Sequence, residues 1–258
     1  MLVRAVEAAA FGTNCYVVAT GVGEQCIVVD PGIGVLDQLD SLLAEARLRP
    51  VAVLLTHGHI DHTFSVAPVC DAKGGTAYIH PADRELLADP AKGLSADLSM
   101  LFGGRLPYAE PEDVAELPDS GTITVAGLEI IVDHAPGHTR GSVLFRLPGA
   151  DLDLGPGRGV DTDQVCLSGD VLFAGSIGRT DLPGGSMDEM WRTLRQKVLP
   201  LADDTLVLPG HGPATTIGRE RATNPFLLEA QRRPATTDPM ASDQMASPIL
   251  NRPDRQGL

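Results

Sequence analysis

Short apolar runs and stretches of helical period alternate along most of the chain. Met1–Val6, Asn14–Ala19 and Gln25–Asp30 read as three strands, the last two separated by the turn Gly21-Val22-Gly23. Val35–Arg47 places Val35, Leu36, Leu39, Leu42, Leu43 and Ala46 at the spacing of an amphipathic helix. A buried strand over Val51–Leu55 follows, then a helix from about Asp61 to Ala72 that Gly74-Gly75 stops. Thr76–Ile79 is a further strand and Ala82–Ala88 a further helix, with Pro81 suited to its first turn. Strands alternating with helices predict an α/β layered fold.

The second half is more interrupted. Pro90, Gly93, Gly103-Gly104, Pro107 and Pro111 break up Asp89–Leu117, leaving one short helix over Leu94–Phe102; such an excursion either covers a site or is a passive insertion. Thr122–Val125 and Leu128–Asp133 form a hairpin closed by Ala126-Gly127, and Gly141–Leu147 resumes as a strand. The Gly/Asp-rich segment Gly149–Gln164 lacks the spacing of a calcium loop and reads as a solvated hairpin loop. Val165–Leu167 and Thr205–Leu208 are the last strands. Between them, Met187–Leu199 is a helix with Met187, Met190, Trp191, Leu194 and Val198 on a core face. Gly218–Gln231 closes the fold as a helix interrupted near Asn224-Pro225. From Arg232 the composition turns to Pro, Ser, Thr, Asp, Gln and Arg, so one domain over residues 1–231 and a disordered tail over 232–258 are expected.

At 258 residues the chain is long enough for a sizeable core, and 43% hydrophobic with 21% charged residues is the balance of a soluble globular protein. A formal net charge of −14 argues against nucleic acid or an anionic membrane surface as the main partner. The four cysteines, Cys15, Cys26, Cys70 and Cys166, show no C-x-x-C pairing and read as buried free thiols. The N-terminus has neither the charged start nor the long apolar run of a signal peptide, and no run approaches transmembrane length, which together predict a cytoplasmic protein.

Chemistry concentrates at strand ends. Directly after the apolar run Val51–Leu55, the segment Thr56-His57-Gly58-His59-Ile60-Asp61-His62 places three of the chain's seven histidines and a carboxylate within six positions. Imidazole and carboxylate suit zinc, iron or manganese, and a loop on a rigid strand can aim such groups at one point. His57 and His59 alternate as in extended chain while Asp61 and His62 lie where the chain turns towards a helix, an arrangement able to serve two neighbouring metals. His138, on the tight turn Pro136-Gly137, Asp170 after Ser168-Gly169, and His211 between two glycines are further candidates. Asp30, before Pro31-Gly32, is either a turn former or the group that orients a ligand histidine. His80, alone at a strand end, reads as structural, and His134 is a poorer ligand candidate than His138.

These pieces resemble the metallo-β-lactamase superfamily. The resemblance runs from about Met1 to Gln231 and rests on Thr56–His62, Ala135-Pro136-Gly137-His138-Thr139, Ser168-Gly169-Asp170 and Pro209-Gly210-His211-Gly212, in that order. It implies an αββα sandwich of two mixed sheets flanked by helices. It further implies that His57, His59 and His138 bind one divalent metal, and Asp61, His62 and His211 a second, with Asp170 bridging. Zinc is the first expectation, with iron or manganese as alternatives. A water shared by two such ions would supply hydroxide at neutral pH, so Asp61 and Asp170 count as catalytic. No Ser or Cys nucleophile and no G-x-S-x-G elbow is needed or present.

Within the superfamily, Phe173-Ala174-Gly175-Ser176-Ile177-Gly178-Arg179-Thr180-Asp181 is similar to the shorter bacterial members of the glyoxalase II (hydroxyacylglutathione hydrolase) branch. The branch implies hydrolysis of a small-molecule thioester such as S-lactoylglutathione. The longer members' helical C-terminal domain is mostly missing, which leaves the thiol carrier open. Arg140 and Arg179 are candidates for a substrate carboxylate, or else surface ion pairs. The chief alternative is a persulfide dioxygenase, which shares the Gly-Arg-Thr-Asp segment and would hold one iron through His57, His138 and Asp170. A lactonase is a lesser alternative, and a metal-stabilised binding protein the non-enzymatic one. Oligomeric state is not legible.

Overall fold

The computed structural model describes residues 1–94, 108–149, 152–155 and 162–233. The predicted helix over Leu94–Phe102 and the predicted tail therefore lie almost entirely outside the described residues.

Two six-stranded sheets stack face to face. The first runs in spatial order β1 (Leu2–Glu7), β2 (Asn14–Ala19), β3 (Gln25–Val29), β4 (Arg49–Leu54), β5 (Thr76–Ile79) and β6 (Val114–Glu116). Its first three strands are antiparallel, and β3 to β6 are parallel. The second sheet holds β7 (Ser120–Val125), β8 (Leu128–His134), β9 (Val143–Pro148), β10 (Gln164–Gly169), β11 (Leu206–Pro209) and β12 (Thr215–Thr216), in that spatial order. It is antiparallel except for the β10–β11 pair. The short β6 and β12 were not anticipated from the apolar pattern. Each is an edge strand, two or three residues long, too short to show a period.

The period-2 alternation of the strands explains the layering. Ile27, Val29, Ala52 and Leu54 point inward to meet Ile130, Val132, Val143, Phe145 and Leu167 between the sheets. Their neighbours Val28 and Val53 point outward, onto α1 (Leu36–Ala46) and α3 (Val66–Lys73) through Leu39, Leu43, Val66 and Val69. Leu144, Cys166 and Val207 do the same on the other side, against α5 (Met187–Thr193), α6 (Ile217–Thr223) and α7 (Pro225–Arg232). Strands buried on both faces read as continuous apolar runs, which is why Val51–Leu55 shows no alternation. Two mixed sheets between helical layers is the predicted αββα sandwich, and all four cysteines are buried free thiols as expected.

Several boundaries depart from the sequence reading. β4 starts two residues early, and Val51 is extra: Cys26 pairs with Pro50 and Ile27 with Ala52, a bulge beside a proline that has no N–H for the ladder. The helix expected over Asp61–Ala72 breaks into α2 (Ile60–Thr63) and α3, because the Ser65 amide and hydroxyl bind the Pro31 and Gly32 carbonyls at 3.0 and 2.7 Å. The helix expected over Ala82–Ala88 is a 3-10 turn, Pro81–Asp83, followed by α4 (Arg84–Ala88). The Met187–Leu199 helix widens into a π turn over Leu194–Val198, and Met187 is 39% exposed rather than in the core. At Asn224, whose side chain caps α7 by accepting from the Phe226 amide at 3.0 Å, the closing helix divides as expected.

Candidate metal centre

All the ligand loops leave the same rim of the sandwich. Thr56–His59 follows β4, Asp170 follows β10 and His211 follows β11; His138 lies beyond β8. Close approach is built in by glycine. At Gly137 (φ 145) an added Cβ would lie 2.6 Å from the Met190 Cα, so the turn carrying His138 presses directly on α5. Thr193 on α5 holds the same turn by donating to the Pro136 carbonyl at 2.6 Å.

His57 Nε2 and His59 Nδ1 lie 3.2 and 2.8 Å from His138 Nε2. Two of these rings have an assignable proton. The Arg179 carbonyl lies 2.7 Å from His138 Nδ1 and can only accept, so Nδ1 carries the hydrogen. Thr56 Oγ1 donates to Asp30 Oδ2 at 2.6 Å and so accepts from His57 Nδ1 at 3.1 Å. Both Nε2 atoms are then bare lone pairs facing each other in a buried space. Burial first, then neighbouring imidazoles, push His57 well down, His138 to about 3 and His59 to about 4, so protons do not bring them together. A divalent cation would, and the donor set fits zinc or another borderline divalent ion.

A second cluster adjoins the first. His62 Nε2 is 3.2 Å from His211 Nε2, and Asp61 Oδ2 lies 3.6 and 3.3 Å from those two atoms. Asp170 stands between the clusters, with Oδ1 3.4 Å from His62 Nε2 and Oδ2 3.6 Å from both His138 Nε2 and His211 Nε2. Its buried Oδ1 has no hydrogen-bond partner, a place on the carboxylate that a metal ion would satisfy. Burial resists charge on His62, but Asp170, Asp61 and Asp30 outweigh it and raise His62 to about 10. Burial also raises Asp170 to about 6, while at Asp61 the nearby His62 and His211 overcome burial and keep the carboxyl ionised. The surroundings favour positive charge where these ligand atoms face one another.

Asp30 anchors both clusters. Held at φ 52 beyond β3, it accepts from the Thr56 amide at 2.8 Å, the Thr56 hydroxyl and His62 Nδ1 at 3.0 Å. Of its two sequence readings, the one that orients a ligand histidine is the one the geometry takes. Thr56 was missed as the link between Asp30 and His57; only its place next to His57 hinted at it. His80 and His134 stack on each other, rings 4.0 Å apart at 7°, and bind Asp119 and the Arg140 carbonyl. Parallel rings aim their lone pairs in parallel planes, which suits a structural pair and not a shared ion.

The clusters open into a cavity of about 480 Å³ lined by Phe11, Ile60, Leu94, Phe173 and Leu182, besides ligand residues and Arg179. Arg179 is at the mouth with its guanidinium engaged by Asp181 through two 2.8 Å hydrogen bonds. Arg140 is exposed and does not line this cavity. Phe11, 56% exposed and in the left-handed region at φ 66, was not singled out from sequence, since one aromatic residue on a turn has no distinguishing pattern. A larger groove, of about 910 Å³ beside α1, contains no histidine and lies away from this chemistry.

Comparison with known proteins agrees with this geometry. The Metallo-beta-lactamase superfamily profile matches residues 8–152. An uncharacterized protein of Mycobacterium tuberculosis is 46% identical over 228 residues, 88% of this chain and 98% of its own length. The hydroxyacylglutathione hydrolase GloC of Haemophilus influenzae is 30% identical over 234 residues, 88% of this chain and 98% of the relative. Among solved structures, the BLEG-1 B3 metallo-beta-lactamase superposes with a TM-score of 0.72 at 34% identity, covering 87% of this chain and 99% of its own. TTHA1623 in a di-iron-bound form gives 0.68 at 35%, covering 86% and 99%. Similarity of this extent, on a fold whose ligand loops meet at one rim, makes the chain a member of the metallo-beta-lactamase superfamily.

Proposed function

We propose that the chain is a metal-dependent thioester hydrolase acting on small S-2-hydroxyacylglutathione-type substrates, with two divalent ions, zinc foremost, held by His57, His59, His138 and by Asp61, His62, His211, with Asp170 shared. The observation that carries it is the second complete cluster next to the first, with Asp170 reaching both. When bound, such ions would supply a water-derived nucleophile at neutral pH and withdraw charge from a carbonyl oxygen. The residues do the rest. Asp30 and the Arg179 carbonyl fix the rings of His62 and His138, and Asp61, kept ionised by His62 and His211, lines the cavity beside them. Phe11, Ile60, Phe173 and Leu182 give the acyl group an apolar bed and limit water. The likeness to GloC supports the thioester reading. No nucleic acid or membrane partner is part of it.

The test combines metal content of the purified protein, S-lactoylglutathione hydrolysis and oxygen uptake on glutathione persulfide. Two metals per chain and thioester cleavage that Asp170→Ala abolishes are expected. One iron per chain with persulfide-dependent oxygen uptake would replace the hydrolase by the dioxygenase.

A further inference from the structure

Asp83 lies outside both ligand clusters and is 1% exposed. It ends the 3-10 turn Pro81–Asp83 and stands at the start of α4. Its oxygens collect three uncharged donors. Oδ2 accepts from the Gly58 amide at 2.9 Å and the Thr139 hydroxyl at 2.6 Å; Oδ1 accepts from the Gly141 amide at 2.7 Å. Gly58 sits between His57 and His59 on the loop beyond β4, in the first sheet. Thr139 follows His138 directly, beyond β8 in the second sheet. One carboxylate from a third element therefore joins the two loops that supply His57, His59 and His138.

The fit leaves little slack. A Cβ on Gly141 would be 2.6 Å from Asp83 Cγ, and one on Gly58 would be 2.6 Å from Leu86 Cβ. A carboxylate suits the position because it accepts on both oxygens without donating. An amide would turn an N–H towards at least one of the three donors. Burial raises the Asp83 carboxyl, and the hydrogen bonds from Thr139, Gly58 and Gly141 oppose that rise.

The geometry points to Asp83 as a positioning residue that sets the spacing between the two loops and thereby the fit of His57, His59 and His138 to their ion. The inference rests on reading that cluster as a metal site. Its effect should fall mainly on this cluster, since its side chain accepts from groups beside His57, His59 and His138, and from no residue of α2, which carries Asp61 and His62, or of the segments that carry Asp170 and His211.

The experiment is zinc titration of the full chain against a chromophoric chelator, with the circular dichroism spectrum and thermal melt of each metal-free protein. The wild type is expected to bind zinc in two steps, and the step that survives in His211→Ala marks the His57, His59, His138 cluster. Asp83→Asn is expected to weaken that step tenfold or more, with the other step within about threefold, the scale on which residues supporting metal ligands act. Thr139→Val keeps the carboxylate and removes one donor; it is expected to shift the same step by a smaller factor, and it decides the matter if Asp83→Asn does not fold. Unchanged zinc binding in folded Asp83→Asn, or in Thr139→Val when that variant stands alone, overturns the inference, as does equal weakening of both steps. A wild type that binds no zinc overturns the metal reading itself, and the inference with it.

Discussion

Replacing Asp30 by Ala removes the acceptor for the Thr56 amide, the Thr56 hydroxyl and His62 Nδ1 together. The expected result is a loss of about 10–100-fold in metal affinity. A stability loss of about 1–3 kcal/mol should accompany it, from the buried amide left without a partner. Chelator competition and a denaturant midpoint measure the two. The clusters should also differ in pH dependence. His62 is raised to about 10 and His211 is raised as well, against burial, by Asp61 and Asp170, so a metal must displace protons there, and affinity at the second cluster should climb at least about tenfold per pH unit between about pH 6 and 8. His59 and His138, at about 4 and about 3, are already unprotonated there, so the first cluster should be nearly flat. Zinc titrations at two pH values separate the steps; a common slope for both would contradict this assignment. The candidate ligands stood out because each is an imidazole or carboxylate on a glycine-containing loop that follows a strand. Thr56 and Asp83 were not, because the groups that give them meaning are 26 and 25 or more positions away in the chain.

At the level of elements, the turn before His138 is the most exacting. Gly137→Ala would force a Cβ into the Met190 backbone at a φ of 145 that L side chains rarely adopt. Displacement of His138 is expected, with metal content falling below the wild type while far-UV circular dichroism is retained. Full metal occupancy in this variant would show that α5 can yield. Most strands were readable because the sandwich buries them on one or both faces, so Asn14–Ala19 and Thr76–Ile79 appear at their observed bounds. The break at Ser65 was not readable. It depends on carbonyls of Pro31 and Gly32, and a local apolar period contains no trace of such a distant acceptor. β6 failed for another reason: Val114–Glu116 has one strongly apolar residue and gains its pairing from β5.

For the whole molecule, metal binding should be linked to folding. A chelator should lower the melting temperature, and zinc at about 100 times its dissociation constant should restore about 2.7 kcal/mol for a single site that only the folded chain provides. Differential scanning calorimetry with and without chelator checks it; an unchanged melt would mean the clusters bind nothing tightly. The meeting of loops from both sheets has one more consequence. His59 and His138 are 79 positions apart, and His62 and His211 are 149. An ion held by either pair is a cross-link between remote stretches of chain, the role a cystine plays in secreted proteins, while all four thiols here are buried and unpaired. Stripping the metal would then act as reduction does on such a cystine: it opens a large covalent-like loop at the rim and leaves the packed layers beneath it to hold the molecule closed.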